Sequence, residues 1–475
     1  MWQVLRLATR TLGEKAVLRK STEQIRAIQR RRLRDLVRRA KAGSPFYAER
    51  LAGIDPDRFE LRDIPPVTKA ELMADFDRVP TDRRLTRAAL EAFMADPARL
   101  GEWFLGRYAV SRTSGTQGCP AIIVQDRSMM EVLFALQMGR GSTFEASPWA
   151  ALERIARPAR LAVVTIGRGF YPSAAALAYA PAAYRTFVDR LWLTNIEPLD
   201  EVVGRLQLFR PQILLGYASV LELLAREALA GRLTLPALKQ VINMSEPLSE
   251  GARRLVAEAF GLPVTNNYAS GECMALCTGC PSGHGMHQQA DWSILEVVDD
   301  RNRPVPPGRP GSKVLITNLY NTVQPFLRYE LADVVTVSPT PCPCGSPLPL
   351  VLKVEGRTDD LLWIRDGDRF RQVHPYVFVD MLDECPDVGW YQIVQVERNR
   401  LLLRAAPAPG RRIGADDLQA ILRRGLIRFG LGDLIRVDVE LARVAPDPSS
   451  GKLRRITSRL GPPSLDPAPY VAAAS

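Results

Sequence analysis

LAVVTI at residues 161–166 opens a series that continues with QILLGY at 212–217, KQVINM at 239–244 and KVLITNL at 313–319. Each is a short run of aliphatic and β-branched side chains, and helical segments separate them. Strands buried on both faces of an α/β domain read this way. The expected fold class is therefore α/β, with a large amino-terminal domain of several subdomains. Upstream, residues 1–110 read as helices and loops, with PFYAERL and then DIPPVTKAEL before a new helical pattern. Downstream of EGRTDDLLWI the pattern changes. WYQIVQV, the turn-like ERNR and LLLRA predict a hairpin, followed by a helix from Asp416 to Phe429. A strand then alternates Ile435, Val437 and Val439 with Arg436, Asp438 and Glu440. These elements predict a large domain over 1–357, a small α+β domain over 358–461 and a Pro/Ala-rich tail over 462–475.

The chain has 475 residues, more than one hydrophobic core normally supports, and its 46% apolar and 24% charged fractions are those of a packed globular protein. No apolar run approaches the ~18 residues of a membrane span. The amino terminus lacks the apolar block and cleavage site of a secretory signal, so a cytoplasmic location is the expectation. The net charge of +11 is concentrated in RAIQRRRLRDLVRRAK at 26–41. Ile25, Ile28, Leu33, Leu36 and Ala40 recur there at helical spacing, Ser21 and Gln24 fit a capping box, and Gly43 with Pro45 end the pattern. An amphipathic helix with a solvated basic face is predicted rather than a nucleic-acid or membrane contact.

SRTSGTQGCPAIIV at 111–124 carries the strongest chemical signal. Thr113, Ser114 and Thr116 alternate with Gly115 and Gly118, so hydroxyls and converging backbone amides can cradle a phosphate. No Gly-Lys-Ser/Thr follows, which excludes a Walker loop. A second constellation is CMALCTGCPSGHGMH at 273–287 with CPC at 342–344. Turn-rich C-x-x-C and C-x-C-G spacings in a reducing compartment predict a tetrahedral zinc site rather than a disulfide. Cys119 and Cys385 read as packing residues.

TSGTQGCP resembles the phosphate-binding signature TSGTTGxP of the adenylate-forming superfamily of acyl-CoA synthetases, luciferases and adenylation domains. SEP at 245–247, NNYASGE at 266–272, LRYELADVV at 327–335, EGRTDD at 355–360 and SSGKLRRI at 449–456 resemble its further motifs, in the order that superfamily has them. SPFY, PPVTKAELM and the form RYEL are similar to the phenylacetate-coenzyme A ligase family, over essentially the whole chain. The resemblance implies ATP-dependent adenylation of an aryl or arylalkanoic acid, then acyl transfer to coenzyme A, with the small domain rotating between the two steps. Acceptors other than coenzyme A, either a carrier-protein thiol or an amine, stay open. A basic, zinc-containing nucleic-acid-binding protein with an inactive ligase fold is the reading from another class.

Carried over residue by residue, the resemblance places Lys452 between the acyl carboxylate and the α-phosphate, and Glu272 on magnesium. It places Ser245, Glu246, Pro247, Asn267 and Tyr268 around adenine, Asp333 and Arg357 at the ribose, and Asp359 at the hinge. For zinc it selects Cys280, His287, Cys342 and Cys344, a closed structural set, with Cys277 or His284 as substitutes. Acyl-pocket walls are expected near Phe134, Tyr217 and Met244, and a homodimer stays open. Two departures stand out: Gly271 replaces the usual hydroxyl residue, and Leu331-Ala332 replaces Thr-Gly before Asp333.

Overall fold

The computed structural model describes residues 2–113, 120–141, 153–165, 169–194, 197–357, 362–367, 369–373, 378, 381–382, 385, 387–408, 410–428, 430–445, 453, 455–458 and 460. Three of the apolar runs lie side by side in one parallel sheet. Its strands are β1 (Ala159–Thr165), β2 (Val188–Thr194), β3 (Ile213–Gly216), β4 (Gln240–Met244) and β5 (Val264–Asn267), in the spatial order β2-β1-β3-β4-β5. Neighbouring side chains on these strands enter different cores. Leu161, Val163, Ile213 and Ile242 pack toward the amino-terminal helices, whereas Ala162, Val164, Leu214 and Val241 pack against the Ala218–Leu229 and Glu250–Phe260 helices. Burial on both faces is why these strands lack the alternation of a half-exposed sheet.

KVLITNL does not join them. Lys313–Asn318 pairs antiparallel with Ser293–Val298 and Tyr329–Leu331 in a separate three-stranded sheet. Its run from Val314 to Asn318 is buried throughout, so its composition alone matches a parallel strand. A further antiparallel sheet joins Asp333–Val337, Leu350–Arg357, Met286–Gln288 and Cys277–Gly279.

From Leu362 onward the buried apolar residues, among them Phe378, Leu401, Leu422 and Ile456, form a core of their own. Val388–Glu397 and Arg400–Pro407 make the expected hairpin, and the helix runs from Ala415 to Arg428. The alternating strand is Arg436–Leu441, lying parallel to Arg400–Pro407. Ile456–Ser458 completes the sheet beside Val388–Glu397. Cys385 packs against this core.

The basic helix spans Thr22–Gly43 with the Ser21/Gln24 capping box in place, and Ile25, Leu33, Leu36 and Ala40 are buried. Its charged face is not wholly solvated, however. Arg32 turns inward, donating to the Asp291 carboxylate at 3.0 Å and lying over the Trp292 ring at 3.2 Å. Asp291 is fully buried, and Arg140 supplies its main countercharge. The guanidinium of Arg140 donates to the Glu14 carbonyl at 2.8 Å, the Glu14 carboxylate at 2.6 Å, Gln289 at 2.8 Å, and the two Asp291 oxygens at 2.7 and 3.0 Å. Burial pulls the Asp291 carboxyl up, but the hydrogen bonds and charges of Arg140 and Arg32 together outweigh it and hold the group below its ordinary range. Glu14 is raised, chiefly by burial. The cluster fixes the Trp2–Ala16 helix against Arg127–Arg140, where the backbones approach so closely that a Cβ at Gly139 would stand 2.8 Å from the Thr11 carbonyl.

Replacing Arg140 with Met roughly keeps the volume, takes the guanidinium from Glu14 and leaves Asp291 with Arg32 alone. Loss of one partner of a buried ion cluster costs about 3–5 kcal/mol. Chemical denaturation is expected to show a correspondingly lower midpoint, and Glu14→Gln with Asp291→Asn in the same chain to recover much of it. An unchanged midpoint for Arg140→Met would show the cluster to be dispensable.

Candidate functional site

The carboxyl ends of β4 and β5 deliver two of the sequence motifs to one place, as open parallel sheets commonly do at ligand sites. Asn243, the penultimate residue of β4, donates from Nδ2 to the Asn266 Oδ1 on β5 and to the Glu246 carbonyl, both at 2.8 Å. That side chain joins the strand ends and sets the path of Ser245–Pro247. Ser245 adopts φ +64°, a left-handed conformation that costs a non-glycine residue energy. Ser245 and Pro247 are exposed. The Glu246 carboxylate is committed to protein donors. One oxygen accepts from the Ser219 amide at 2.9 Å and the other from the Leu453 amide at 3.0 Å. Asn267 accepts from the Gly279 amide at 3.0 Å through its side-chain oxygen.

Tyr268 and Asp333 meet directly, the phenol donating to the carboxylate at 2.7 Å. Glu272 is buried, and its Oε1 accepts from the Tyr329 hydroxyl at 2.8 Å while its carbonyl accepts from Asn318 at 2.7 Å. Two residues expected at adenosine and one expected at magnesium are thus each held by a second ring or carboxylate of the same site. Arg357 is aligned with Asp333 through backbone pairing of their strands. Thr113 closes the base of the phosphate motif, its amide donating to the Ala121 carbonyl and its Oγ1 accepting from the Ala121 amide, both at 2.9 Å. Ser114, Gly115, Thr116, Gly118, Cys119, Asp359 and Lys452 lie outside the described residues.

The sequence reading missed several supporting residues. Gln324 donates to the Ile122 carbonyl and accepts from the Val124 amide, both at 2.8 Å, and Asn321 donates to the Val124 carbonyl at 3.1 Å, tying the strand after the phosphate motif to the 318–324 turn. Arg328 of RYEL pairs bidentately with Glu296 at 2.9 and 3.0 Å and donates to the Ile64 carbonyl at 2.7 Å, so it braces the scaffold. For Asn321 and Gln324 the available signal was the amide pair in NTVQ at 321–324, close after the apolar run KVLITNL. Tyr217 and Met244 lie at the carboxyl ends of β3 and β4, with the Tyr217 hydroxyl 3.4 Å from Ser173 Oγ. Phe134 does not stand with them. It packs on Tyr184 at 4.6 Å in the core shared with the amino-terminal helices.

The thiols and imidazole of Cys280, His287, Cys342 and Cys344 converge, with donor atoms all within 4.8 Å of one another. Cys280 and Cys342 sulfurs are 3.7 Å apart, and His287 Nε2 is 3.2 Å from the Cys344 sulfur. Burial raises the Cys280 thiol, yet backbone amides of His284 and Ser282 and the neighbouring thiols bring it below its ordinary value. Burial lowers His287 and so favours the neutral imidazole. Neutral imidazole is the form a metal binds, whereas burial pushes the Cys344 thiol up to about 11, so metal binding there would have to displace its proton. Cys277 differs, since burial pushes its thiol well up and it lies outside the cluster. His284 stays close, its Nδ1 3.8 Å from the Cys342 sulfur. Four donors without an open position are the arrangement of a structural site.

Gly271 has a steric cause. A Cβ there would stand 2.6 Å from Ile123 Cδ1, 3.1 Å from Pro172 and 3.2 Å from the Thr113 methyl. Ser270 Oγ accepts from the Cys273 amide at 3.1 Å, so that hydroxyl shapes the turn. Gly271→Ser is therefore expected to destabilise by about 1–3 kcal/mol through overpacking. Ile123→Val in the same chain is expected to relieve most of the loss, a non-additivity that thermal denaturation of the two single variants and the double variant measures.

No family model matches the chain. A phenylacetate-coenzyme A ligase of Thermus thermophilus is 28% identical over 469 residues, covering 91% of this chain and 96% of that protein. Among solved structures, 2-hydroxyisobutyryl-CoA ligase in the postadenylation state, in complex with R3-HIB-AMP, superposes with a TM-score of 0.67 at 21% identity, covering 92% of this chain and 90% of that one. The same enzyme with 2-HIB-AMP and CoA in the thioesterification state gives 0.56 at 22% identity, covering 93% and 91%. The chain is thus similar over nearly its whole length to a phenylacetate-coenzyme A ligase, and it shares the fold of 2-hydroxyisobutyryl-CoA ligase.

Proposed function

We propose that the chain joins a carboxylic acid to coenzyme A in two steps at the site described, the acid being of the aryl or arylalkanoic class. In the first, a carboxylate oxygen attacks the α-phosphorus of ATP, the bond to the β-phosphate oxygen breaks, and acyl-AMP and pyrophosphate form. In the second, the coenzyme A sulfur attacks the acyl carbon, AMP leaves, and the thiol proton passes to solvent. The observation that carries this reading is the paired hydrogen bonding of Tyr268 with Asp333 and Tyr329 with Glu272 at the carboxyl edge of the sheet. Those pairs hold an aromatic face, a ribose acceptor and a carboxylate in fixed relation, as a nucleotide site requires. The whole-length relative supports coenzyme A as acceptor.

Two anions meet in the first step, so catalysis rests on supplying positive charge and donors where negative charge accumulates. Lys452 supplies one such charge, bridging the acyl carboxylate and the α-phosphate. Glu272 would hold magnesium, which when bound screens the phosphates. Ser114, Gly115, Thr116 and Gly118 cradle the β- and γ-phosphates, with Thr113 at their base. Residues 358–461 form the mobile domain, hinged at Asp359.

A panel of aryl, arylalkanoic and aliphatic acids, assayed for ATP-dependent pyrophosphate release with and without coenzyme A, tests both steps. Acceleration by coenzyme A with an acid that adenylates is the expected result, and Lys452→Ala is expected to slow adenylation by about two to three orders of magnitude. An acid that adenylates but is accelerated only by an amine or a carrier protein would overturn coenzyme A as acceptor.

We propose further that Cys280, His287, Cys342 and Cys344 hold one structural zinc. Purified protein is then expected to carry one zinc per chain by elemental analysis, and Cys344→Ser to lose it with a lowered thermal midpoint. Below that midpoint pyrophosphate release should persist, because a four-ligand zinc offers no open position to a substrate.

A further inference from the structure

One face of the Ala218–Leu229 helix meets the small carboxy-terminal unit. Ser219, Glu222 and Arg226 are spaced three and four residues apart, so they form a single stripe. Each makes or shares a contact that crosses between the units. The Ser219 amide donates to Glu246, whose other carboxylate oxygen accepts from the Leu453 amide at 3.0 Å. Glu222 pairs with Arg455. Arg226 donates to the Val388 carbonyl at 3.3 Å.

Leu453 follows Lys452 directly and Arg455 lies three residues beyond it, so these contacts fall on the segment that carries it. Arg455 is held from both sides. Its guanidinium lies 5.1 Å from the Tyr391 ring centroid, and its carbonyl accepts from the Ile393 amide at 2.7 Å, while Glu222 faces it from the large unit. The side chains of Arg455 and Glu222 are 18% and 11% exposed, so water screens the pair less than it would a surface ion pair.

We propose that Glu222 and Glu246 act together as a latch, docking the chain segment beside Lys452 on the large unit in the adenylating posture. They are positioning residues that touch neither ATP nor acid through these carboxylates. Breaking the latch lowers the fraction of molecules with Lys452 engaged and slows adenylation, while acyl transfer, which uses another posture, is spared or accelerated. This inference rests on the two-step reading above.

The test compares the full-length protein with Glu222→Gln and with the reversed pair Glu222→Arg/Arg455→Glu. Hydrogen exchange followed by mass spectrometry is expected to show amides of 453–458 exchanging about tenfold faster in Glu222→Gln, the scale of one sheltered charge-assisted hydrogen bond. Exchange in Arg400–Pro407 should be unchanged, and the reversed pair should restore protection. With phenylacetate, ATP–pyrophosphate exchange is expected to fall by a similar factor at unchanged KM for ATP. Thioester formation from synthetic phenylacetyl-adenylate and coenzyme A should not fall. Equal exchange at 453–458 in wild type and Glu222→Gln overturns the latch, as does failure of the reversed pair to restore protection. If the variants show the exchange difference and its rescue, yet wild-type protein releases no pyrophosphate with any acid, the functional reading is overturned and the docking contact itself stands.

Discussion

The phenol of Tyr268 joins the two halves of the large unit. Its backbone amide and carbonyl exchange hydrogen bonds with Cys277, while its hydroxyl reaches Asp333 at 2.7 Å. One residue thus couples the end of the parallel sheet to the antiparallel sheet that contains both Cys277 and Asp333. A hydrogen bond to a carboxylate in a partly buried setting is stronger than a neutral one, so the angle between the sheets is tightly set. The proposed adenosine pocket lies across that junction and inherits its rigidity.

The thiol and imidazole cluster belongs to the same construction. Cys280 directly follows the strand that pairs with Tyr268, and His287 sits on the next one. Cys342 and Cys344 lie in the turn-rich 339–349 segment, whose sequence offers few apolar residues to pack. A segment of that composition needs a different fastening, and four convergent soft donors suit the task. Glu272 depends on a separate support. Its holder, Tyr329, comes from the three-stranded sheet, and Asn318 on the adjacent strand of that sheet fixes its backbone.

Much of this was legible in the sequence because it is local. The capping box at Ser21 and Gln24, the alternation around Val437 and the turn between Gln395 and Leu401 are settled by residues a few positions apart. The convergence of Cys280, His287, Cys342 and Cys344 was legible for a different reason, since the family resemblance singled out those four positions. What escaped is non-local. Asp291, which draws Arg32 out of solvent, lies 259 residues away, and Leu453, which occupies Glu246, lies 207 residues away. That KVLITNL enters a separate antiparallel sheet also escaped, because burial on both faces erases the pattern that separates parallel from antiparallel strands. Gly271 looked like a lost hydroxyl, although the decisive atom is the Ile123 methyl above it.

The contrast between the two kinds of junction has a physical logic. Inside the large unit, continuous apolar cores run between the layers, and separating them would expose surface at about 25 cal/mol per Å². The polar contacts described with the small unit are instead two hydrogen bonds and an ion pair, made by Glu222, Arg226 and Glu246. Water replaces such partners at little net cost, since a protein hydrogen bond gains only about 0.5–1.5 kcal/mol over its solvated groups. In the proposed two-step cycle, where the small unit seats a lysine at the phosphates and then turns away, a seam of this type serves both steps. It specifies the docked geometry through direction and charge, while the small free-energy gap keeps undocking fast enough for a second step.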